Sequence, residues 1–285
     1  MMMVLAAGLA LVIGVVLGML GGGGAILTLP MLVYAVHVEA KAAIATSLFV
    51  VGATSIVSSA VHARSGTVKW RIGAIFGAAA MGGAYLGGRV AGYIPSTVLL
   101  VLFGLVMVVT AIAMLRGRKE EPSATPRPLG LDRTLMLGAA VGALSGLVGA
   151  GGGFLIVPAL TIFGGLRMRE AIGTSLFVIS LQSFAGFAGH VAHVQLDWPL
   201  VLAITAATIV GSIGGAVLGK RVSPASLRRG FAWLVIAMGL FMFAKQLPPV
   251  IALGAGAATL LAVFLVTRKP STERAGTEPA RDAGR

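Results

Sequence analysis

The chain has 285 residues, of which 57% are hydrophobic and 11% charged, and its mean hydropathy is +0.98. No soluble domain of this composition could cover its apolar surface with polar side chains, so the sequence predicts an integral membrane protein. The formal net charge of +13 comes from Lys and Arg in short connections between apolar segments, without interleaved aromatic residues, and this excludes nucleic acid as a partner.

The first half of the chain is predicted to form an all-α membrane repeat over residues 1–115. A long apolar segment at 3–36 is interrupted by glycines, and three ordinary spans follow at 42–63, 71–92 and 96–115. The stretch 3–20 lacks a basic start and a small-residue cleavage site, so we interpret it as part of the mature protein rather than as a signal peptide.

A linker rich in charge and proline, residues 116–133, leads to a second repeat at 134–245. The second repeat again has an interrupted segment, at 134–165, followed by spans at 170–190, 198–219 and 227–245. One further transmembrane helix is predicted within 246–268, and the tail at 269–285 is predicted to be disordered.

The two halves share one register of glycine, proline and polar residues. Each matched residue is displaced by 128 positions (158 − 30 = 128 for the prolines), and a register this long indicates an internal duplication. The matched residues include Gly14, Gly18, Gly21, Gly23, Gly24, Pro30, Thr46, Ser47, Ser55, His62 and Trp70 in the first half.

Basic residues predict opposite orientations for the two repeats. The loop between the second and third segments carries Arg64, Lys69 and Arg71, whereas its counterpart at 190–198 carries no Lys or Arg. In the loop after the third segment the difference is reversed, because the second half carries more Lys and Arg there than the first half. Because Lys and Arg in short loops mark the cytoplasmic side, this pattern predicts inverted-topology repeats whose glycine-broken segments are re-entrant or cross as two short helices, with the linker and tail in the cytoplasm.

The glycine runs are the first candidate site. Inverted repeats with broken helices place ligands near the bilayer midplane, and glycine-rich backbone beside a helix start favours an anion. The alternative is close helix packing, which we assign to the GxxxG pair Gly14 and Gly18. The predicted substrate-binding glycines are Gly21, Gly22, Gly23, Gly24, Gly149, Gly151, Gly152 and Gly153.

Hydroxyl and amide side chains form the second candidate set. Thr46, Ser47, Thr174 and Ser175 can donate hydrogen bonds to an oxyanion without carrying charge through lipid, and Gln182 is the most polar residue inside its span. Interhelical hydrogen bonding is the alternative for all of these residues.

Three further residues are candidates for gating or proton relay, namely His62, His190 and Arg64. Interfacial capping is the competing interpretation for the histidines. The predicted spans hold no Asp, Glu, Lys or Arg well inside them, so recognition of a substrate would depend on backbone amides, dipoles and hydroxyls.

The doubled motif resembles the TauE/SafE sulfite exporter family. The resemblance is carried by both glycine runs, by Pro30 and Pro158, and by the segments 45–49 and 173–177, although Ala150 interrupts the second glycine run. It implies a permease of the bacterial cytoplasmic membrane for small sulfur-containing oxyanions, such as sulfite or sulfoacetate, acting in export.

Two other functional classes compete with a carrier. A membrane-embedded enzyme is disfavoured because the sequence has no HExxH motif, no paired intramembrane carboxylates and no GxSxG motif, so no catalytic residue, metal site or cofactor is expected. A passive anion channel, or a carrier of another small carboxylate-type anion, remains open. The expected partners are the anionic substrate and the bilayer, with self-association left open.

Overall fold

The computed structural model describes residues 2–20, 25–116, 130–149, 151–219 and 221–268. Regular structure within these ranges is entirely helical. The first glycine run, Ala150, most of the linker and the tail lie outside the described residues.

Each half begins with a helix that is interrupted and then resumes briefly before three long helices. In the first half these are α1 (Met2–Leu20), α2 (Ala25–Pro30) with a π-helical turn (Met31–Ala35), α3 (Ala40–Ala63), α4 (Trp70–Ala91) and α5 (Ser96–Arg116). The second half has α6 (Leu131–Val148), α7 (Gly153–Pro158) with a π-helical turn (Ala159–Phe163), α8 (Met168–His190), α9 (Trp198–Gly219) and α10 (Pro224–Gln246), followed by α11 (Pro249–Arg268).

Five of the described helices are long and apolar enough to cross a membrane. They are α3, α6, α8, α9 and, from Ala225, α10, and shorter apolar helices cover Leu5–Leu20, Ala25–Ala35 and Ser96–Ile112. The chain is therefore an all-helical, multi-pass membrane protein, as the sequence predicts.

The two halves repeat the same local hydrogen bonds. Val36 N–H donates to Met31 O at 3.0 Å, and the equivalent bond joins Gly164 N–H to Ala159 O at 3.1 Å. Both wide turns follow a proline, Pro30 or Pro158, which has no N–H to donate within its helix. The duplication seen in the sequence is thus present in the backbone.

Glycines allow pairs of helices from opposite halves to touch backbone to backbone. A Cβ on Gly14 would collide with Thr208 O of α9, and one on Gly18 would collide with Ser212 O one turn later. The predicted close contact at this GxxxG pair is confirmed. Because the residue numbers rise together, α1 and α9 run in the same direction.

The contact that the repeat relates to this one joins α6 of the second half to α4 of the first. Gly142 packs on Ala80 and Gly146 packs on Ala84, so these helices also run parallel. Between α4 and α8 the close pairs Gly73 with Phe177 and Gly77 with Leu181 show the same sense.

Helices α3 and α8 cross in opposite directions. A Cβ on Gly186 would lie 3.4 Å from Leu48, and a Cβ on Gly52 would lie 3.2 Å from Phe184, so rising numbers on one helix meet falling numbers on the other. Since α1 and α3 are joined at their C-terminal ends by His62 and Gly18, the two share a direction. Helices α1, α3 and α9 therefore run one way, and α4, α6 and α8 run the other.

Two aromatic pairs connect the halves around this crossing. Trp70 of α4 contacts Phe177 of α8 with ring centroids 5.1 Å apart, and its counterpart Trp198 of α9 contacts Phe49 of α3 at 5.6 Å. Both pairs are edge-to-face, a favourable aromatic geometry. The crossing of α3 and α8 is thus the centre around which the two halves exchange contacts.

Candidate functional site

The second glycine run breaks the chain in a conformation that requires glycine. Gly149 ends α6 with a φ of +72°, and Gly151 and Gly152 both have a φ of +63° before α7 begins at Gly153. Side chains with a Cβ rarely adopt this left-handed region. The predicted site residues Gly21, Gly22, Gly23 and Gly24 of the first run lie outside the described residues.

The glycine break packs against the crossing of α3 and α8. A Cβ on Gly149 would collide with Ile44 of α3, one on Gly151 would meet Val51 of α3, and one on Gly152 would collide with the amide of Gln182 of α8. Three glycines of the break thus have no room for a side chain, because both long helices approach its backbone.

Gln182 ties the break to α8. Its Nε2 donates to Gly151 O at 2.8 Å and to Ser145 Oγ at 3.1 Å, and its side chain is completely buried. Its Oε1 is buried and has no hydrogen-bond partner in the part of the chain that the structure describes. The sequence allowed two roles for Gln182, a bridge between helices or a contact with the substrate. The structure shows the bridge, and the Oε1 atom is still able to accept a hydrogen bond from a substrate.

Several hydroxyl side chains of α3 and one of α8 are also buried without a hydrogen-bond partner among the described residues. Within α3 they recur at intervals that place them on one helical face. They are Ser47, Thr54, Ser55 and Ser58 on α3 and Ser183 on α8.

Unpartnered buried polar groups are costly, at about 1–3 kcal/mol each, and native interiors contain few of them. Thr54 is the repeat counterpart of Gln182 (182 − 54 = 128), so the two lie at corresponding points of the crossing. These uncharged donors and acceptors, which we call the buried cluster, therefore lie along the crossing, and Ser183 Oγ is 3.3 Å from the position of a Cβ on Gly151. Its members can exchange hydrogen bonds with a small polar ligand, and none of these described side chains carries a charge.

The structure does not bring the two Thr–Ser pairs together. Thr174 accepts a hydrogen bond from Lys69 N–H at 2.9 Å, close to the start of α8, and Ser175 Oγ donates to Ile172 O at 2.8 Å. Because α3 and α8 are antiparallel, Thr46 lies near the opposite end of the crossing, about 20 Å away along the helix axis. Their part in anion binding stays a prediction, but one shared site for all four is not what the fold provides.

The two histidines make equivalent helix-to-helix bonds. His62 Nε2 lies 3.3 Å from Gly18 O, and His190 Nε2 lies 2.8 Å from Gly146 O, both across 44 residues of chain. Each bond joins the end of a long helix to the last turns of an interrupted one. Arg64 is exposed at the C-terminal end of α3, two residues after His62 and outside the buried cluster.

Sequence reasoning missed Thr54 and Ser58. Both could have been found from the helical spacing of hydroxyls along α3, since Ser47, Thr54, Ser55 and Ser58 follow one another at steps of 7, 1 and 3 residues. The signal was hidden because Thr54 and Ser58 match Gln182 and Gly186 in the second half, neither of which carries a hydroxyl.

Comparison with known proteins gives a consistent picture. The profile of the family described as "Sulfite exporter TauE/SafE" matches residues 6–242. The chain is similar to a "Probable membrane transporter protein" of Xylella fastidiosa, 36% identical over 81% of this chain and 90% of the relative. Another relative with that description, from Bacillus subtilis, is 30% identical over 72% of this chain and 85% of its own length. No solved structure gives a significant match.

Proposed function

The chain belongs to the TauE/SafE sulfite exporter family and is a membrane transporter rather than an enzyme, and from this premise we propose that it exports a small sulfur-containing oxyanion. Sulfite and organosulfonates such as sulfoacetate are the proposed substrates. The proposed location is the bacterial cytoplasmic membrane.

The observation that carries this proposal is the buried, uncharged cluster at the crossing of α3 and α8. The hydroxyls of Thr54, Ser55 and Ser183 can each donate a hydrogen bond to a sulfonate oxygen, which offers several acceptor positions. Hydrogen bonds to an ion are roughly twice as strong as those between neutral groups, so a few of them offset part of the cost of desolvating the anion. Gln182 Oε1 can accept from a water or from the O–H of a protonated anion.

The lack of fixed charge at the cluster suits transport. A buried lysine or arginine would hold an anion through a strong electrostatic attraction at low dielectric, and release would be slow. A transported ion must bind strongly enough to enter and weakly enough to leave. Hydroxyl donors meet both requirements for a monovalent or divalent oxyanion.

We further propose that the two halves are inverted in the membrane. The two helices of each matched pair run in opposite directions, as seen for α1 with α6, α3 with α8 and α4 with α9. The unequal numbers of Lys and Arg in matched loops also favour inversion. Since α6 and α8 run parallel, α7 and its π-helical turn return between them as the second arm of a hairpin. This arrangement puts the crossing of α3 and α8 near the bilayer midplane, where inverted-repeat transporters bind their ligands.

Counterflow tests the proposal and separates a carrier from a passive channel. Purified protein in liposomes preloaded with unlabelled sulfoacetate is given external labelled sulfoacetate, and a carrier accumulates the label transiently and with saturation. We expect sulfite and thiosulfate to compete with labelled sulfoacetate for uptake, and acetate not to compete. Flux without counterflow would indicate a channel, and preferential competition by acetate would indicate a carboxylate carrier.

A further inference from the structure

We infer that the protein binds an anionic phospholipid on its outer surface, with one acyl chain in a groove between α3, α4 and α8 and the headgroup beside the loop 64–69. The groove has a volume of about 650 Å³. This site is separate from the buried cluster, and its occupant is a lipid rather than the transported anion.

The groove is lined mainly by apolar side chains, several of which are exposed. Ile56 of α3 is 52% exposed, and Trp70 and Met81 of α4 are 55% and 38% exposed. Phe177 and Phe184 form the wall on α8. An empty cleft would leave these side chains without dispersion contacts on one side, so in a bilayer the groove is filled by hydrocarbon.

The length of the groove matches one leaflet of a bilayer. Trp70 and Met81 are 11 positions apart on α4 (81 − 70 = 11), which is about 16 Å along the helix axis. Half of a hydrocarbon core measures about 15 Å. Trp70 is the first residue of α4, and tryptophan favours the level of the lipid headgroups. The groove therefore extends from the headgroup level towards the bilayer centre, as an acyl chain does.

The headgroup end of the groove is basic. Arg64 and Arg71 are exposed at the two ends of the connection between α3 and α4. Lys69 lies between them and forms an ion pair with Glu170 at 2.9 Å, while residues 40–116 contain no Asp or Glu. Arginine binds phosphate groups through paired N–H donors. The positive charge of this loop therefore favours an anionic headgroup over a zwitterionic one.

The matching face of the other half differs in both respects. Ser59, which lines the groove, corresponds to Phe187 (187 − 59 = 128). The Phe187 ring packs on Phe49 with centroids 5.4 Å apart, so an aromatic ring occupies the space that serine leaves open. Asp197 stands where the first half has Lys69. The open groove and the basic loop thus occur together in one half, whereas the other half combines an aromatic side chain with an acidic one.

Quenching of tryptophan fluorescence by brominated lipids tests this site without a transport assay, because Trp70 lines the groove. The full chain contains three tryptophans, Trp70, Trp198 and Trp233. Trp198→Phe with Trp233→Phe leaves Trp70 as the reporter. Trp70→Phe with Trp233→Phe leaves Trp198, the repeat counterpart of Trp70, which is 45% exposed and serves as the matched control. Each protein is reconstituted in phosphatidylcholine with increasing amounts of phosphatidylglycerol or phosphatidylcholine brominated in one acyl chain.

We expect brominated phosphatidylglycerol to quench Trp70 at a mole fraction about fivefold lower than brominated phosphatidylcholine does, and the two lipids to quench Trp198 equally. Arg71→Gln should remove most of this preference, whereas Arg89→Gln near the other end of α4 should keep it. Ala60→Phe, at an exposed position of the groove wall, should also remove it by filling the groove. Ala188→Phe, at the matching position of α8, is the control and should leave it unchanged.

Two results would overturn the site whether or not sulfoacetate is carried. One is equal quenching of Trp70 by both lipids, and the other is a preference that survives Ala60→Phe, because the headgroup alone would then be held. Quenching of Trp198 but not of Trp70 would show that a second copy of the chain covers the groove, which also contradicts a lipid occupant. Size-exclusion profiles check folding, and Ser59→Phe is the alternative groove-filling variant if Ala60→Phe does not fold.

Discussion

The crossing of α3 and α8 and the ends of these two helices hold buried polar groups in different states. At the helix ends, His62 and His190 bond to backbone oxygens of α1 and α6. At the crossing, Thr54 and Ser183 are buried without a hydrogen-bond partner among the described residues. A buried polar group stabilises a fold only when it is paired. The polar groups at the ends therefore hold helices together, whereas we assign those at the crossing to the anion.

The largest expected effect concerns the sides of the membrane that the two loops face. Single cysteines introduced by Ser65→Cys and Val194→Cys should be labelled by an impermeant maleimide from opposite sides, with Ser65 on the cytoplasmic side, because the basic loop 64–69 and its uncharged counterpart lie on inverted repeats. The measurement is labelling in intact cells against labelling in permeabilised cells. Labelling of both positions from one side would show that the halves are parallel.

The next effect is loss of the glycine break. Gly151→Val puts a β-branched side chain at a φ of +63° and drives it into Val51, so we expect no folded protein or no transport. Gly82→Val on α4 is the control, since nothing lies within 4 Å of the position of its Cβ. Size-exclusion profiles and counterflow report the two outcomes, and normal activity of the Gly151 variant would show that the break tolerates a side chain.

Gln182→Leu should weaken both the fold and transport. The change removes the bonds to Gly151 O and Ser145 Oγ and leaves these buried groups without their partner, which costs about 1–3 kcal/mol of folding free energy. Thermal unfolding in detergent measures the loss, and counterflow on the folded fraction measures transport. Unchanged stability would mean that the amide does not hold the break to α8.

The smallest effect is expected at the edge of the crossing. Thr174→Val removes the acceptor for Lys69 N–H and should cost about 1 kcal/mol of stability while leaving the apparent affinity for sulfoacetate unchanged. The melting temperature and the concentration dependence of uptake are measured together. A large rise in the half-saturating concentration would place Thr174 in the transport path after all.

The spans, the duplication and the need for glycine at the break could be read from the sequence, because hydropathy and register are local signals. The pairing of α1 with α9 and of α4 with α6 could not be predicted, because a glycine such as Gly142 indicates close packing but does not identify the helix that packs against it. Positions that repeat in sequence lie together only near the centre of an antiparallel crossing. This is why Thr54 and Gln182 occupy corresponding central points although their side chains differ, whereas Thr46 and Thr174 match but lie far apart.

The central claim is that the unpartnered hydroxyls at the crossing bind the anion, and equilibrium binding of labelled sulfoacetate to a Thr54→Val, Ser183→Ala double variant tests it most directly. Removing buried hydroxyls that lack a partner should leave the melting temperature unchanged or raise it, while affinity falls at least tenfold, because two charge-assisted hydrogen bonds are lost. Wild-type affinity in a stable double variant would contradict the account and identify these hydroxyls as packing elements.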